Sequence, residues 1–431
     1  MVAGDTIMAL SSGALPAGVA VIRLSGPAVR TALGAVAGGV PRPRHMSLRH
    51  IGQARRLDQG LVVFFPAPNS FTGEDCAELH VHGSPAGVKT ILAELKTLGL
   101  RLAEPGEFTR RAFENGKLDL IEIEGLGDLL GADTEKQRQQ ALARYDGRLT
   151  EAIDRWRDTL LDLRAEIEAR LDFSDEGDVS EHLPERWQVQ LADLELDIAT
   201  ALASVESGRI VREGIRVALA GAPNAGKSSL INALAKSDIA IVSDEAGTTR
   251  DVREVPLDIG GQLYILLDLA GLRETDSRAE AEGVRRAEVA IASADIVIWL
   301  RAPDAPDAER PATTGRVITV GTKADLAQVP EVDLVLSTRT GEGLDELLRT
   351  LAQLGEDLAG AGEPALVSHA RDAEALAQAL AALDETRSTL GNWELAAESL
   401  RRASAALERL IGRLDAERVL DRLFASFCIG K

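Results

Sequence analysis

One short segment of the chain has the residue types and the spacing that bind phosphate. It reads GAPNAGKS and runs from Gly221 to Ser228, between a run typical of a buried strand and a helix that we expect over Ser229 to Ala235. Its glycines allow backbone N–H groups to turn inward around a phosphate group. We expect Lys227 to reach the β- and γ-phosphates of a nucleotide, and the Ser228 hydroxyl to bind Mg²⁺.

Two motifs later in the chain predict the rest of the phosphate side of this site. The segment from Gly247 to Arg250 resembles switch I of a GTPase, with Thr249 as the second hydroxyl ligand of Mg²⁺. The segment from Asp268 to Gly271 ends an apolar strand. That position places Asp268 near the metal and the Gly271 amide near the γ-phosphate.

Two more motifs predict the side of the site that binds the base. The segment from Thr322 to Asp325 resembles the guanine-reading Asn-Lys-x-Asp motif, in which a carboxylate accepts hydrogen bonds from guanine N1 and N2. Adenine offers no such donors, so Asp325 argues against an ATPase. The segment from Ser337 to Arg339 resembles the last base-contacting loop. Thr322 replaces an asparagine that normally ties the base loop to the phosphate loop, which weighs against tight nucleotide binding.

The residue after the Gly271 motif bears on catalysis. Many GTPases have a glutamine there to orient water, but here Leu272 stands in its place, and a leucine cannot hydrogen-bond water. Another group must therefore orient the water. The acidic candidates in the following segment, among which the residues alone do not decide, are Glu274, Asp276, Glu280 and Glu282.

The five motifs follow one another in the order expected of a GTPase. Each is a weak signal alone, but together they predict GTP binding and hydrolysis. The predicted nucleotide contacts are Asn224, Ala225, Gly226, Lys227, Ser228, Ser229, Ser243, Asp244, Glu245, Ala246, Gly247, Thr248, Thr249, Asp268, Leu269, Ala270, Gly271, Thr322, Lys323, Asp325, Ser337, Thr338 and Arg339.

Composition sets limits on the protein class. A chain of 431 residues, 45% apolar and 27% charged, predicts two or three globular domains. Its two cysteines, Cys76 and Cys428, cannot build a disulfide framework and fit a reducing, cytoplasmic compartment. No apolar stretch is long enough to span a bilayer. The net charge of −20 argues against unaided nucleic-acid binding, although it equally suits a role in solubility.

The elements that must position these motifs change along the chain. Residues 1–117 mix short strands with one amphipathic helix over Ala86 to Leu98, which predicts an α+β domain. Residues 118–213 and 356–431 read as helical, with an apolar stripe from Ile153 to Leu171 and a second helix expected over about Pro184 to Ser207. Their apolar faces are expected to pack together as one bundle. Residues 214–355 alternate strand and helix, which predicts a mostly parallel sheet. Its expected buried strands are Arg216 to Ala220, Leu263 to Leu267, Asp295 to Leu300, Arg316 to Val320 and Asp333 to Leu336. The expected fold is therefore a multi-domain α+β protein with a Ras-like P-loop α/β G domain inserted in a helical domain.

Motifs outside the G domain carry a family resemblance. Over essentially its full length the chain resembles the tRNA modification GTPase MnmE (TrmE) family. The segments that carry the resemblance are Asp5 to Ile7, Val21 to Gly26, Ser70 to Asp75, Pro105 to Phe113, Gly116 to Leu120 and the terminal Phe427 to Lys431.

The resemblance implies a ligand for the amino-terminal domain. Domains of this kind dimerise and bind a 5-formyl or 5,10-methylene tetrahydrofolate. The matching positions for folate contacts are Arg23, Glu78, Lys117 and Lys431. Without the family, Arg23 and Glu78 would read as a strand-edge ion pair. Cys428 corresponds to a cysteine beside the folate pocket, and a small buried apolar role suits it equally well.

The resemblance also implies how the G domain hydrolyses GTP. Such domains use K⁺ instead of an arginine finger, and the matching K⁺ ligands are Asn224, Ser243, Glu245 and Thr248. Glu280 matches the water-orienting glutamate, which would answer the problem posed by Leu272.

The implied activity is GTP hydrolysis coupled to modification of the tRNA wobble uridine. A homodimer would work in a heterotetramer with the flavoprotein MnmG (GidA), which carries the FAD and holds most of the tRNA. Together they would add an aminomethyl or carboxymethylaminomethyl group at C5. The alternative is a regulatory or ribosome-assembly GTPase with a helical partner-binding domain, and folate binding would separate the two.

Overall fold

A computed structural model of the chain describes residues 4–172, 182–241, 253–268, 285, 288–306, 309–310, 312–360, 362–412 and 430. The chain divides into two compact units. Unit 1 comprises Met1–Gly127 with Glu408–Lys431, and unit 2 comprises Asp128–Leu407. Among the described residues, no helix combines the length and the apolarity needed to cross a membrane.

Unit 1 is built on a six-stranded sheet of order β3-β4-β5-β2-β1-β6. All neighbouring strands are antiparallel except β1 and β6, which are parallel. The strands are β1 (Ile7–Leu10), β2 (Ala17–Ser25), β3 (Ser47–Ile51), β4 (Asp58–Phe65), β5 (Cys76–Gly83) and β6 (Arg101–Leu102). The helices are α1 (Val29–Ala37), α2 (Pro85–Thr97), α3 (Glu107–Glu114) and α4 (Leu120–Leu130).

Alternation along the strands gives the two faces of this sheet different roles. On β2, Ile22 and Leu24 belong to the same buried cluster as Leu33 of α1 and Ile91 of α2. Because successive side chains of a strand point to opposite faces, Arg23 lies on the other face. A different apolar cluster, which includes Ile7, Ala9 and Phe108, forms separately from the first. The face that carries Arg23 is therefore the one open to polar chemistry.

Unit 2 begins and ends with helices that pack on one another. They are α5 (Glu135–Tyr145), α6 (Arg148–Asp172), α7 (Glu185–Ala203) and α8 (Val205–Glu213) before the second sheet, and α10 (Leu344–Ala359), α11 (Ala370–Ser388) and α12 (Trp393–Leu410) after it. Arg144 of α5 forms a 2.8 Å ion pair with Asp372 of α11, and both side chains are fully buried. A buried contact thus joins helical segments that come before and after the sheet in sequence, in line with the packing expected for their apolar faces.

The second sheet is six-stranded, with order β12-β11-β10-β7-β9-β8. Its strands are parallel except for the antiparallel edge strand β8. They are β7 (Ile215–Gly221), β8 (Arg253–Ile259), β9 (Gln262–Asp268), β10 (Ile296–Arg301), β11 (Arg316–Gly321) and β12 (Leu334–Val335), with α9 (Lys227–Ala235) after β7. Val217 and Leu219 of β7 face one buried cluster, whereas Ala218 and Ala220 face another, so this sheet is covered on both sides.

Within unit 2 the structure departs from the sequence-based expectation in two places. The helix expected from Pro184 to Ser207 is two helices, α7 and α8, that meet at Ser204. Its hydroxyl donates to the Ala201 carbonyl oxygen at 2.7 Å, a local bond that competes with helix continuation. The edge strand β8 was not expected, because Pro256 and three charged residues interrupt its apolar pattern. A proline is tolerated at a sheet edge, where no further strand needs its N–H.

Candidate functional site

The phosphate loop lies between the carboxyl end of β7 and the start of α9. Gly221 has φ 145° and Gly226 has φ 96°, values that side chains rarely tolerate. A Cβ atom on Gly221 would lie 2.4 Å from the Leu300 carbonyl oxygen of β10. Asn224 is also left-handed, with φ 65° and an exposed side chain. The glycine spacing of the motif is therefore what this backbone path requires.

Side chains that follow the loop suit a phosphate group. Lys227 is the first residue of α9, and its Nζ donates to the carbonyl oxygens of Gly221 at 2.7 Å and Ala222 at 2.8 Å. Ser228 and Ser229 lie exposed in the first turn of the helix. A helix amino terminus favours anions because its N–H groups and its dipole both point at them. The start of α9 therefore brings together a cation, two exposed serines and a positive helix end.

Thr322 joins the base loop to the phosphate loop. Its side chain is buried, and its Oγ1 is 2.8 Å from the carbonyl oxygen of Ala225 and 3.2 Å from that of Arg301. From the sequence we expected this position to have lost the tie that an asparagine normally makes. The threonine hydroxyl makes a tie of the same kind, and its effect on nucleotide affinity stays a prediction.

The two base-contacting motifs meet through a carboxylate and a hydroxyl. The Ser337 hydroxyl is buried and donates to Asp325 Oδ1 at 2.6 Å, while Arg339 Nε lies 3.5 Å from Oδ2. The Ser337 hydrogen bond and the positive charge of Arg339 hold the pKa of Asp325 below its ordinary value. Asp325 is therefore ionised at neutral pH, the form that accepts hydrogen bonds from guanine. Lys323 has φ 56° and pairs with Asp304 at 2.7 Å.

Part of the predicted nucleotide site lies outside the described residues. This applies to Ser243, Asp244, Glu245, Ala246, Gly247, Thr248 and Thr249, to Leu269, Ala270 and Gly271, and to Glu280. Strand β9 ends at Asp268, as the apolar run predicted. The described portion is thus the phosphate loop with both base loops.

A second site occupies the face of the unit 1 sheet that carries Arg23. We call it the sheet pocket. It has a volume of about 510 Å³. Its lining residues are Arg23, Arg44, Phe65, Asn69, Ser70, Phe71, Cys76, Glu78 and Lys117. The pocket brings together Arg23, Glu78 and Lys117, three of the four residues expected to bind folate.

Register explains why Arg23 and Glu78 meet. They are directly opposite on the antiparallel strands β2 and β5, and Arg23 donates to Glu78 Oε1 at 3.1 and 3.2 Å. Glu78 Oε2 lies 3.0 Å from Nε2 of His80, two residues further along the strand. The Arg23 guanidinium also lies 5.5 Å from the Phe71 ring centre. Glu78 is thus held from both sides, with its carboxylate fixed at the pocket wall.

A buried ionic network fixes the segments beside the pocket. Arg111, whose side chain is 7% exposed, pairs with Asp5 at 2.6 Å, with Glu107 at 3.0 Å and with Glu74 at 3.1 Å. Arg101 contacts Asp5 and Glu107 at 2.5 Å each. The network therefore joins three of the motifs that carried the family resemblance, around Asp5, Ser70 to Asp75 and Pro105 to Phe113.

Within unit 1, Gly430 near the end of the chain contacts the segment after β1. The Ser11 hydroxyl donates to the Gly430 carbonyl oxygen at 3.0 Å, and Gly430 is buried. Gly430 has φ 103°, and a Cβ atom there would lie 2.6 Å from the Leu10 carbonyl oxygen. Cys428 and Lys431 lie outside the described residues. Gly430 therefore lies so close to the Leu10 carbonyl oxygen that a side chain would not fit there.

Sequence reasoning missed several residues of the pocket. Phe65 and Cys76 are directly opposite each other on β4 and β5, in line with Ser25 of β2. The signal was available once the Arg23–Glu78 register was assumed, because the next pair on that face follows at a period of two. Arg44 and Asn69 lie in loops, where the sequence pattern predicts no partner.

Comparison with known proteins covers the whole chain. The model of the GTP-binding protein TrmE N-terminus matches residues 6–117, and that of the MnmE helical domain matches residues 120–428. Proteins named tRNA modification GTPase MnmE are 49% identical in Rhizobium johnstonii and 50% identical in Azorhizobium caulinodans. Each match covers 99% of both chains.

A third such relative, from Rhizobium meliloti, is 48% identical over 100% of both chains. Among solved structures, the G domain of the T. maritima FeoB iron transporter is 27% identical over 32% of this chain and 98% of that chain. Its TM-score of 0.24 is too low to support an argument. The full-length matches decide the matter: the chain belongs to the family of the tRNA modification GTPase MnmE.

Proposed function

We propose that the chain binds GTP between the phosphate loop and the base loops, and hydrolyses it as a step in tRNA modification. The observation that carries the proposal is the hydrogen bond from Thr322 to the Ala225 carbonyl oxygen, because it joins the two halves of the site. Asp325 supports guanine as the base, since its ionised carboxylate matches the N1 and N2 donors of guanine.

Two metal ions belong to the proposal. Ser228, exposed beside the loop at the first turn of α9, suits a Mg²⁺ ligand, and Thr249 is the second ligand. Asn224, exposed and left-handed in the loop, suits a K⁺ ligand, together with Ser243, Glu245 and Thr248. A bound K⁺ supplies positive charge where negative charge develops on the phosphates. Lys227 contributes a second positive charge at the β- and γ-phosphates.

The sheet pocket is proposed to bind the one-carbon donor, a 5-formyl or 5,10-methylene tetrahydrofolate. Three observations support a polar heteroaromatic ligand: the carboxylate of Glu78, the Arg23 guanidinium beside Phe71, and the Lys117 ammonium in one wall. Lys431 completes the proposed contacts, and the placement of the preceding Gly430 beside Ser11 supports a docked chain end. Cys428 stays a candidate for a role beside this ligand.

The proposed assembly is a cytoplasmic homodimer that works with the flavoprotein MnmG (GidA). The pair would add an aminomethyl or carboxymethylaminomethyl group to C5 of the tRNA wobble uridine, with FAD and most of the tRNA on the partner. The net charge of −20 supports a partner that supplies the basic surface for RNA.

Hydrolysis measured in matched potassium and sodium buffers tests the nucleotide part of the proposal. We expect turnover in potassium to exceed that in sodium by at least about tenfold, because the ligand set must suit the larger ion and K⁺ takes the place of an arginine finger. Equal rates in the two buffers would contradict the K⁺ assignment. Binding of 5-formyltetrahydrofolate to the same preparation distinguishes a tRNA modification GTPase, which should bind it, from a regulatory or ribosome-assembly GTPase, which should not.

A further inference from the structure

The sheet pocket carries more positive charge than its own carboxylate balances. Its lining includes three cations, Arg23, Arg44 and Lys117, and one carboxylate, Glu78. Arg23 is already paired with Glu78 at 3.1 Å. Among the described residues, no ion pair involves Arg44 or Lys117. The pocket therefore favours a ligand whose net charge is about −2.

Arg44 is held in place although it is exposed. Its backbone is left-handed, with φ 59°, and its N–H donates to the Phe64 carbonyl oxygen at 2.8 Å. The guanidinium lies 5.6 Å from the ring centre of Phe65 and donates one hydrogen bond to the Asn69 carbonyl oxygen. A guanidinium has five N–H donors, and four of those of Arg44 have no hydrogen-bond acceptor among the described residues.

Arg44 and Arg23 differ in accessibility. Only 25% of the Arg23 side chain is exposed, and two of its partners, Glu78 and Phe71, line the pocket. Arg44 belongs to a loop and is exposed to solvent. The pocket thus has a sheltered end, suited to a flat polar ring, and an open end with an arginine.

We propose that Arg44 determines specificity by binding a carboxylate of the glutamate tail of the folate. The inference rests on the proposed folate function and deepens it. A folate consists of a polar fused ring, an aromatic linker and a glutamate with two carboxylates. The two negative charges of these carboxylates equal the excess positive charge of the pocket lining. The planar guanidinium of an arginine also fits a carboxylate better than a lysine ammonium does. Arg44 holds the tail at the open end, while Arg23 and Glu78 hold the ring.

The test compares two probes on the full-length protein. One probe is 5-formyltetrahydrofolate, and the other is the N-methylamide of 5-formyltetrahydropteroate, which keeps the ring, the linker and its amide but carries no carboxylate. Dissociation constants are measured for the wild type, for Arg44→Gln and for Arg42→Gln. Arg42 is an exposed arginine of the same loop that does not line the pocket, so it is a matched control for loss of charge.

We expect Arg44→Gln to weaken folate binding on the order of tenfold and to leave the tail-free probe within about twofold of wild type. Arg42→Gln should change neither. The difference between probes should shrink at high salt, because an exposed ion pair is screened. Equal weakening of both probes, or no weakening of folate, would overturn the role of Arg44. A wild type that binds neither probe would instead overturn the proposed folate function.

Discussion

The nucleotide site and the sheet pocket are built in different ways. In the described part of the nucleotide site, the functional groups come from short continuous motifs at the carboxyl ends of strands, such as Gly221 to Ser228 after β7 and Thr322 to Asp325 after β11. In the sheet pocket, Arg23, Glu78 and Lys117 come from three distant parts of the chain. The nucleotide site is therefore formed by local sequence motifs, whereas the sheet pocket depends on strand register.

Because of this difference, the nucleotide site can be predicted from the sequence more completely than the sheet pocket. Local motifs that follow parallel strands can be assigned to one site from the sequence alone, because the carboxyl ends of parallel strands lie at the same edge of the sheet. Register does not show in a sequence, so Arg23 and Glu78 alone read as an ordinary ion pair. The structure contains that ion pair, and the same two residues line the pocket. One contact thus joins two strands of the sheet and forms part of the pocket wall.

The largest expected effect tests whether the local motifs describe the nucleotide site completely. Glu280, outside the described residues, was chosen from four acidic candidates by resemblance alone. We expect Glu280→Ala to slow single-turnover GTP hydrolysis in potassium by a factor of about 10² to 10⁴, with GTP affinity unchanged, because a water-orienting group acts only in the reaction.

Alanine variants of the other three acidic candidates, Glu274, Asp276 and Glu282, are the matched controls for this measurement. Each removes one negative charge from the same segment. If one of these variants slows hydrolysis while Glu280→Ala does not, the residue replaced in that variant orients the water, and the assignment of Glu280 by family resemblance is wrong.

Much of the fold was accessible from the sequence for the same physical reason as the nucleotide site. Buried parallel strands are continuous apolar runs, so β7, β9, β10 and β11 were predicted within one or two residues. The apolar stripe of α6, from Ile153 to Ile167, is buried as expected. Short or edge strands such as β1, β3 and β8 were missed, because their stability comes from neighbours and not from their own pattern.

Within the sites, side-chain contacts between distant segments were beyond sequence reasoning. The hydroxyl of Thr322 can bond the Ala225 carbonyl oxygen only because β11 ends beside the phosphate loop. Likewise, Arg44 enters the pocket from a loop whose path no periodicity predicts. Motifs identify the groups that act, whereas the fold determines which groups support them.

A smaller effect is expected where two local motifs are joined. Thr322→Val keeps the shape of the side chain but removes the hydroxyl that bonds the Ala225 carbonyl oxygen at 2.8 Å. Loss of one such hydrogen bond costs about 0.5–1.5 kcal/mol, so we expect GTP to bind about two- to tenfold more weakly. Equilibrium binding of GTP measures the effect, and Thr322→Ser, which keeps the hydroxyl, should stay near wild type.

Thr350→Val is the control for this substitution, because the Thr350 hydroxyl is exposed and bonds only within its own helix, to the Glu346 carbonyl oxygen. Unchanged GTP affinity in Thr322→Val would mean that the two motifs act independently. The phosphate loop and the base loop would then bind GTP without help from the hydrogen bond between them.

The smallest expected effect tests the opposite property of the sheet pocket, its dependence on a distant segment. The Ser11 hydroxyl and the Gly430 carbonyl oxygen are 419 positions apart in sequence and lie at 3.0 Å. Ser11→Ala removes this bond and loosens the residue before Lys431. We therefore expect about two- to fivefold weaker binding of 5-formyltetrahydrofolate. Ser84→Ala is the control: Ser84 caps α2, so its loss should lower stability by about 1 kcal/mol without changing folate affinity.

A second variant makes the same test more severe. Gly430→Ala places a Cβ atom 2.6 Å from the Leu10 carbonyl oxygen and strains a backbone with φ 103°, so it should displace the chain end more than Ser11→Ala does. Folate affinity should therefore fall in the order wild type, Ser11→Ala, Gly430→Ala, while GTP hydrolysis without folate stays constant. If both variants bind folate as the wild type does, the docked chain end is a structural contact only. The pocket would then depend on the unit 1 sheet and its loops alone.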